Sequence, residues 1–262
     1  MKKFLISVIT LFICVVCYGA TFNQYWYVED NTPIQTSCTT GGDIILPTPP
    51  TKYGYDFIGW EQLLIQRIEY LESTGTQYID TGYYPNQDTR VVANVMILRN
   101  GGWIFGARTV VGASPLKNSF DASVNPSVSI DNLRSDYNTQ ITWGNTTLDL
   151  YNKIITFDKN KNIATVTVNG FTISTMQSNP AIFTCDYTLT LFATNSDGSP
   201  IISGSERFYY VKIYDNDILV RDFIPVLDGN GTPCMFDKVE GKFYYNQGTG
   251  DFIAGPIVGS GE

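Results

Sequence analysis

The 262-residue sequence contains no histidine, and only 16% of its residues are charged. Without histidine, a Ser/His/Asp or Cys/His nucleophile system is excluded, because both need an imidazole base. Lysine and arginine number 17 against 25 acidic residues, so the net charge is −8. The basic residues form no cluster along the sequence, and we therefore expect no binding to nucleic-acid backbones.

Cysteine is also scarce, and two of the five cysteines lie within the first 20 residues. A zinc site is not expected, because the only Cys-x-x-Cys motif joins Cys14 and Cys17 in that N-terminal segment. The remaining three, Cys38, Cys185 and Cys234, allow either one disulfide with one free thiol or three reduced and buried thiols. If a pair forms, we expect Cys185 with Cys234, since both lie in the predicted large domain.

The N-terminus has the pattern of a secretory signal peptide. Two basic residues, Lys2 and Lys3, precede an apolar run over 4–16, and small residues close the segment at residue 20. The run is shorter than the roughly 20 apolar residues of a membrane span, so an N-terminal anchor is the weaker alternative. Lipoprotein attachment at Cys17 is a further alternative. We expect a secreted or cell-surface protein with no membrane span after cleavage.

Helix formers are scarce, whereas short runs of β-branched and aromatic residues recur along the chain. Two such runs, 208–214 and 217–225, predict a hairpin that ends at Pro225, and a second hairpin is predicted over 235–245. Asn169-Gly170 between alternating runs is a strong hairpin signal. More than ten short runs predict an all-β fold, a two-sheet antiparallel β-sandwich or jelly roll.

Three blocks of sequence resemble bacterial surface domains of the concanavalin A-like lectin/glucanase (laminin-G-like) class. They are IEYLESTGTQYIDTGYYP at 68–85, VKIYDNDILVRDFIPV at 211–226 and CMFDKVEGKFYYNQGTGDF at 234–252. The resemblance covers roughly residues 68 to 255 and implies a concanavalin A-like sandwich. We therefore predict three parts: a signal peptide at 1–20, a small β-rich unit at 21–62 and the sandwich at 63–262.

The small unit ends in a Gly-Tyr-x-Phe-x-Gly-Trp block over 54–60. This block resembles the last third of an internalin-type β-grasp repeat, and the resemblance places Tyr55, Phe57 and Trp60 in the core of a small sheet. About 40 residues are fewer than a domain usually needs to fold alone. We therefore interpret the unit as a truncated repeat.

The glucanases of the resembled class place catalytic carboxylates on one strand as Glu-x-Asp-x-x-Glu, and this spacing is absent. Scattered acids such as Glu69, Glu72 and Asp186 lie where solvation explains them. We therefore predict that the protein is not an enzyme. The resembled class often holds calcium, and oxygen ligands for it are present in the 195–198 loop and at Asp131-Asn132 and Asp136, although Asx-turns are the ordinary explanation of both stretches.

An exported β-sandwich typically holds a sugar by stacking an aromatic ring and bonding its hydroxyl groups. The sequence offers one set of candidates in predicted loops at an edge of the sandwich, with a concave sheet face as the alternative surface. That loop set is Tyr83, Tyr84, Asn86, Asn195 and Asp197. Trp103 and Trp143 lie within strand runs, so burial is the default for both.

These observations predict an exported, non-catalytic binding or adhesion module that recognises glycans. The alternatives are a structural surface protein that binds protein partners and an endoglucanase-type glycoside hydrolase.

Overall fold

The computed structural model describes residues 65–99, 102–110, 116–125, 131–146, 149–202 and 204–258, together with Thr48 and the backbone of four strands within 2–63. The described part contains 23 strands and no helix. The strands are β1 (Lys2–Ile9), β2 (Thr21–Trp26), β3 (Ile34–Thr39), β4 (Tyr55–Leu63), β5 (Gln66–Arg67), β6 (Leu71–Ser73), β7 (Ile79–Asp80), β8 (Thr89–Arg99), β9 (Gly102–Val110), β10 (Leu116–Asn125), β11 (Asp131–Asn138), β12 (Gln140–Thr146), β13 (Ile154–Asn160), β14 (Ile163–Val168), β15 (Phe171–Gln177), β16 (Thr190–Leu191), β17 (Ala193–Ser196), β18 (Ser199–Ile202), β19 (Ser205–Asp215), β20 (Ile218–Leu227), β21 (Pro233–Asp237), β22 (Lys242–Tyr244) and β23 (Ile253–Ala254).

The four N-terminal strands form a small sheet in the order β3-β2-β1-β4. Strand β1 lies within the predicted signal peptide, pairs antiparallel with β2 and runs parallel to β4. Tyr55, Phe57 and Trp60, the expected β-grasp core, belong to β4. Their side chains, like that of Cys38 in β3, lie outside the described residues.

Two larger sheets build the rest of the described chain. The front sheet has eight strands, ordered β12-β11-β10-β9-β16-β7 with β17 and β18 joined at β9. The back sheet has eleven, ordered β15-β14-β13-β8-β19-β20-β21-β22 with β5, β6 and β23 at its side. Nearly all the pairings are antiparallel, and the predicted all-β, two-sheet sandwich is confirmed. No helix in the described part is long and apolar enough to cross a membrane.

The core lies between the two sheets because alternate residues of each strand point inward. Phe105 of the front sheet meets Phe157 of the back sheet edge to face, with ring centroids 5.9 Å apart. Lys159 lies two residues beyond Phe157, on the same inward face, and is fully buried. Its Nζ donates to Ser135 Oγ across the sandwich at 2.6 Å. Residues next to Ser135 in β11 therefore point away from the core.

The predicted hairpins are present. Asn169 and Gly170 have φ of 50° and 80°, the two positive values that a tight hairpin turn requires. Strands β19 and β20 form the long C-terminal hairpin, but the expected end of β20 at Pro225 is wrong. Pro225 pairs with Met235 inside the strand, and its carbonyl oxygen accepts a bond from Ile68 N at 3.2 Å. The strand continues because a proline lacks only the donor, not the acceptor.

The expected Cys185–Cys234 disulfide is not formed. Both cysteines are free and buried. Cys185 packs in the main core between the sheets, whereas Cys234 belongs to a separate small cluster with Ile224, Val226 and Phe236. Burial raises the pKa of both thiols above the ordinary range, so each behaves as a small apolar side chain.

Candidate functional site

Four side chains form a transverse row across the face of the front sheet that points away from the core. Trp103 of β9 lies opposite Ser123 of β10, Ser123 lies opposite Arg134 of β11, and Arg134 lies opposite Trp143 of β12. Adjacent strands are about 4.8 Å apart, so the backbone positions at the two ends of the row are about 14 Å apart. We call these four residues the tryptophan–arginine row.

Arg134 lies between the two indoles of this row. Its guanidinium carbon is 4.9 Å from the ring centroid of Trp103 and 5.4 Å from that of Trp143. A second guanidinium, that of Arg108, lies 4.5 Å from the Trp103 centroid. Such cation–π contacts hold planar groups in fixed positions. Trp103 is half-buried, whereas Trp143 is 53% exposed and presents its ring to solvent. For Trp143, the expectation of burial is therefore wrong.

A pair of carboxyl groups lies beside the row. Asp121 and Asp136 are directly opposite each other on β10 and β11, and both are fully buried. Arg134 donates two hydrogen bonds to the Asp136 carboxylate, from Nε to Oδ1 at 2.8 Å and from Nη2 to Oδ2. Burial first, and then the Asp136 charge, raise the pKa of Asp121 well above its ordinary range, although Arg108 and Arg134 oppose the shift. A proton on Asp121 removes the repulsion between the two carboxyl groups.

Two hydroxyl oxygens beside Asp121, Ser123 Oγ and Thr194 Oγ1, are buried without a hydrogen-bond partner among the described residues. Gly106 is the residue that lets these groups approach each other. A Cβ on Gly106 would lie 2.2 Å from Asp121 Cβ and 2.5 Å from Thr194 Oγ1. Buried polar atoms without partners are uncommon in native proteins, so these atoms make the patch a candidate for a functional role.

The predicted loop set is engaged mainly in internal bonds. The Tyr83 hydroxyl is 2.8 Å from Thr89 Oγ1, and burial raises the pKa of Tyr83. Asn86 Nδ2 donates to Asp215 Oδ1 at 3.0 Å. Only Tyr84, which is 53% exposed, presents a large free surface. The first three residues of the set thus offer one exposed ring, while the amide of Asn86 is bonded to Asp215.

The other two members of the loop set lie in the β17–β18 hairpin. Asn195 is buried, and its Nδ2 donates to Thr188 O at 3.1 Å. Asp197 is exposed at the turn with φ of 54°, and its Oδ1 accepts from Val110 N at 3.0 Å. The stretch expected to be a loop is therefore a tight hairpin whose polar groups hold the fold.

The oxygens expected to hold calcium are not gathered into one site. Asp136 is paired with Arg134, and Asp197 bonds the backbone of β9. The side chains of Asp131 and Asn132 lie outside the described residues. Among the described residues, no three or more acids or cysteines are arranged to hold a metal ion.

The sequence interpretation missed Asp121, Arg108 and Arg134, and it treated Asp136 only as a calcium ligand. For Asp121, Arg134 and Asp136, the signal in the sequence is a polar residue at every second position of β10 and β11, a pattern that also includes Ser123. Alternation predicts that one face of each strand is polar, but it does not give the register that aligns the strands. The register shift between Ala122 and Ser123 is what brings Trp103 into the row.

Comparison with known proteins adds no family assignment. No protein-family model matches the chain, and no curated protein matches it significantly.

Proposed function

We propose that the protein is a non-catalytic glycan-binding module whose binding surface is the tryptophan–arginine row. The observation that carries this proposal is the Arg134 guanidinium fixed between two indoles, one of them 53% exposed. An exposed indole presents a flat apolar face on which a sugar ring stacks. Guanidinium groups beside it supply donors for sugar hydroxyl groups.

The row suits a sugar polymer better than a single ring. Its two indoles lie on either side of one guanidinium, with ring centroids 4.9 and 5.4 Å from the Arg134 guanidinium carbon, so the rings are at most about 10 Å apart. Cation–π contacts and the Asp136 carboxylate hold Arg134 and Trp103 in place before a ligand arrives. Pre-organised side chains lose little entropy on binding, which favours recognition on an open surface. We expect micromolar to millimolar affinity.

The carboxyl pair supports binding without cleavage. A retaining glycosidase needs two carboxyl groups about 5 Å apart that both reach the scissile bond. Asp121 and Asp136 are both fully buried, and Asp136 is bonded to Arg134. In this proposal their role is to position the guanidinium groups. Export through the N-terminal signal peptide, to the medium or the cell surface, belongs to the same proposal.

A glycan-array screen of the whole chain tests the proposal, with Trp143→Ala and Tyr84→Ala as matched variants. Both residues have the same relative exposure, 53%, so each change removes one half-exposed aromatic ring. We expect glycan signals that Trp143→Ala lowers about tenfold and Tyr84→Ala leaves unchanged. Loss only in Tyr84→Ala would move the site to the loop edge. A protein that binds no glycan but captures a protein partner would favour the structural alternative.

The same glycans test the absence of catalysis. Wild-type protein incubated with every bound glycan should release no new reducing ends. Release of reducing ends that disappears in Asp136→Asn would contradict the non-catalytic assignment and support the hydrolase alternative.

A further inference from the structure

A second polar surface lies on the opposite side of the sandwich, on the outer face of the back sheet. It is a cavity of about 510 Å³, within the size range of small-molecule sites. We call it the basic cavity. Its lining residues come from β5, β8, β19, β20 and the turn after β21: Arg67, Arg90, Val92, Tyr210, Lys212, Tyr214, Asp222, Ile224 and Lys238.

The charge of the basic cavity opposes the charge of the whole chain. Four of the chain's 17 lysines and arginines line it, beside a single acid, Asp222, in a protein with a net charge of −8. Such a local reversal of sign attracts anions to one place on a surface that otherwise repels them.

Two of these four cations are already paired with acids. Arg90 donates from Nε and Nη2 to the Asp158 carboxylate at 2.9 and 2.7 Å. Lys238 Nζ lies 2.7 Å from Asp222 Oδ2. Within each pair the acid neutralises the cation, and the two ion pairs fix the walls of the cavity.

The other two cations, Arg67 and Lys212, have no ion pair with any acid in the described part of the chain. Lys212 lies directly opposite Asp222 in the β19–β20 ladder. That carboxylate is nevertheless bound to Lys238, and Lys212 is left without it. Two uncompensated cations in one cavity are the donors that an anionic ligand needs.

The other residues that line the basic cavity suit contact with a sugar ring. Tyr210, Lys212 and Tyr214 alternate along β19 on the outward face, so the tyrosines lie about 13 Å apart with the lysine between them. The Arg90 guanidinium carbon is 5.5 Å from the Tyr214 ring centroid, which holds that ring in place. Val92 and Ile224 add apolar surface. Aromatic rings that flank a cation match a polymer in which sugar rings carry anionic groups, whereas acidic peptide side chains offer no ring for stacking.

We propose that the basic cavity binds an acidic saccharide, with Arg67 and Lys212 holding its carboxylate or sulfate group and the tyrosines contacting its ring. This site is independent of the tryptophan–arginine row, because the two surfaces lie on opposite outer faces of the sandwich. The shared chemistry is an anion on a sugar ring. The free carboxylate of a uronic acid and the sulfate group of a sulfated sugar are two sources of it.

Calorimetric titration of the whole protein at low salt tests the proposal with four probes. They are an oligogalacturonate, a sulfated dextran oligomer, a neutral dextran oligomer and an oligoglutamate of equal charge. We expect at least one acidic saccharide to bind about tenfold or more tightly than the neutral oligomer and oligoglutamate, and to weaken when salt is raised to about 0.3 M. Preference for either acidic saccharide identifies the source of the anion.

The decisive variant is Arg67→Ala combined with Lys212→Ala, and its matched control is Lys117→Ala combined with Lys242→Ala. Both double variants lower the positive charge by two, but only the first changes the cavity. We expect the first to weaken acidic saccharide binding by about tenfold or more and the control by less than twofold. Trp143→Ala should leave this binding unchanged, which separates it from the glycan site.

Three results would overturn the proposal. One is no binding of either acidic saccharide, and another is equal weakening by the control variant, which would indicate non-specific attraction. The third is oligoglutamate binding as tightly as the acidic saccharides, which would assign the cavity to an acidic peptide.

Discussion

Asp121 and Asp136 face each other across neighbouring strands, fully buried, and only Asp136 is bonded to an arginine. Two carboxylates this close repel each other when both are ionised. The raised pKa of Asp121 indicates that Asp121 is the one that holds a proton. Arg108 and Arg134 lie around Asp121, and Lys159 interacts electrostatically with Asp121 from the core side of the sheet.

We predict that Asp121→Asn stabilises the protein at pH 7 but not at pH 4. Because the folded-state pKa of Asp121 is raised above the ordinary value of 3.8, the folded state holds more protons, and stability is lost as pH rises above that value. Asparagine removes this loss and keeps the shape. The expected gain in the free energy of unfolding at pH 7 is about 1–3 kcal/mol by urea denaturation.

Other buried acids also make stability depend on pH; Glu206, for example, has a pKa raised by burial. Because Glu206 contributes equally to the wild type and to Asp121→Asn, the difference in stability between the two proteins reports on Asp121 alone. A variant that is less stable than the wild type at pH 7 would show that Asp121 is ionised and stabilising.

Lys159 gives a prediction at alkaline pH. Burial lowers the pKa of this core lysine to about 8, below the ordinary value of 10.5. Between these values the unfolded state binds more protons, so stability should rise as pH increases from about 8 to 10.5. The rise should be on the order of 3 kcal/mol and should vanish in Lys159→Met. Chemical denaturation at pH 7.5, 9 and 10 measures it, and identical pH slopes for both proteins would contradict it.

Gly106 is predicted to tolerate no side chain. Its Cβ would lie 2.2 Å from Asp121 Cβ, so Gly106→Ala should cost about 1–3 kcal/mol through overpacking and weaken glycan binding. Gly82→Ala is the control, since Gly82 has open space and only the strain of a φ of 67°. It should cost about 1 kcal/mol and leave binding intact. Equal loss of binding in both variants would separate Gly106 from the site.

The two free cysteines should resist modification in the folded protein. Cys185 and Cys234 are buried, and burial raises the pKa of both thiols, so little thiolate is present to react. Iodoacetamide at pH 8 should label neither residue in native protein and both in urea, as read by peptide mass spectrometry. A cross-linked 185–234 peptide in the unreduced protein would contradict the structure.

Local signals in the sequence were enough to predict much of the fold. Asn169-Gly170 specifies its own turn, because asparagine and glycine are the residues that adopt two successive positive φ values. The β19–β20 hairpin follows from alternating β-branched and aromatic residues. The predicted end of the strand at Pro225 was wrong because the effect of a proline depends on whether its missing N–H would have faced an acceptor on a neighbouring strand.

The site was harder to predict because it depends on long-range register. Trp103 and Trp143 are 40 positions apart in the sequence, and only the pairing of four strands shows that they share a row. A tryptophan within a strand is equally consistent with either face. The buried Asp121 and Lys159 resemble ordinary polar positions, since a sequence does not show which charges a neighbouring sheet will cover.

The tryptophan–arginine row is tested most directly by the indole N–H signals of the protein in ¹⁵N NMR spectra. Trp103 and Trp143 are assigned by replacing each with phenylalanine, and the best glycan from the array is then titrated. We expect the Trp143 signal to shift most, the Trp103 signal to follow at the same midpoint, and Arg134→Ala to weaken both responses. A glycan that binds without moving either indole signal would contradict this expectation.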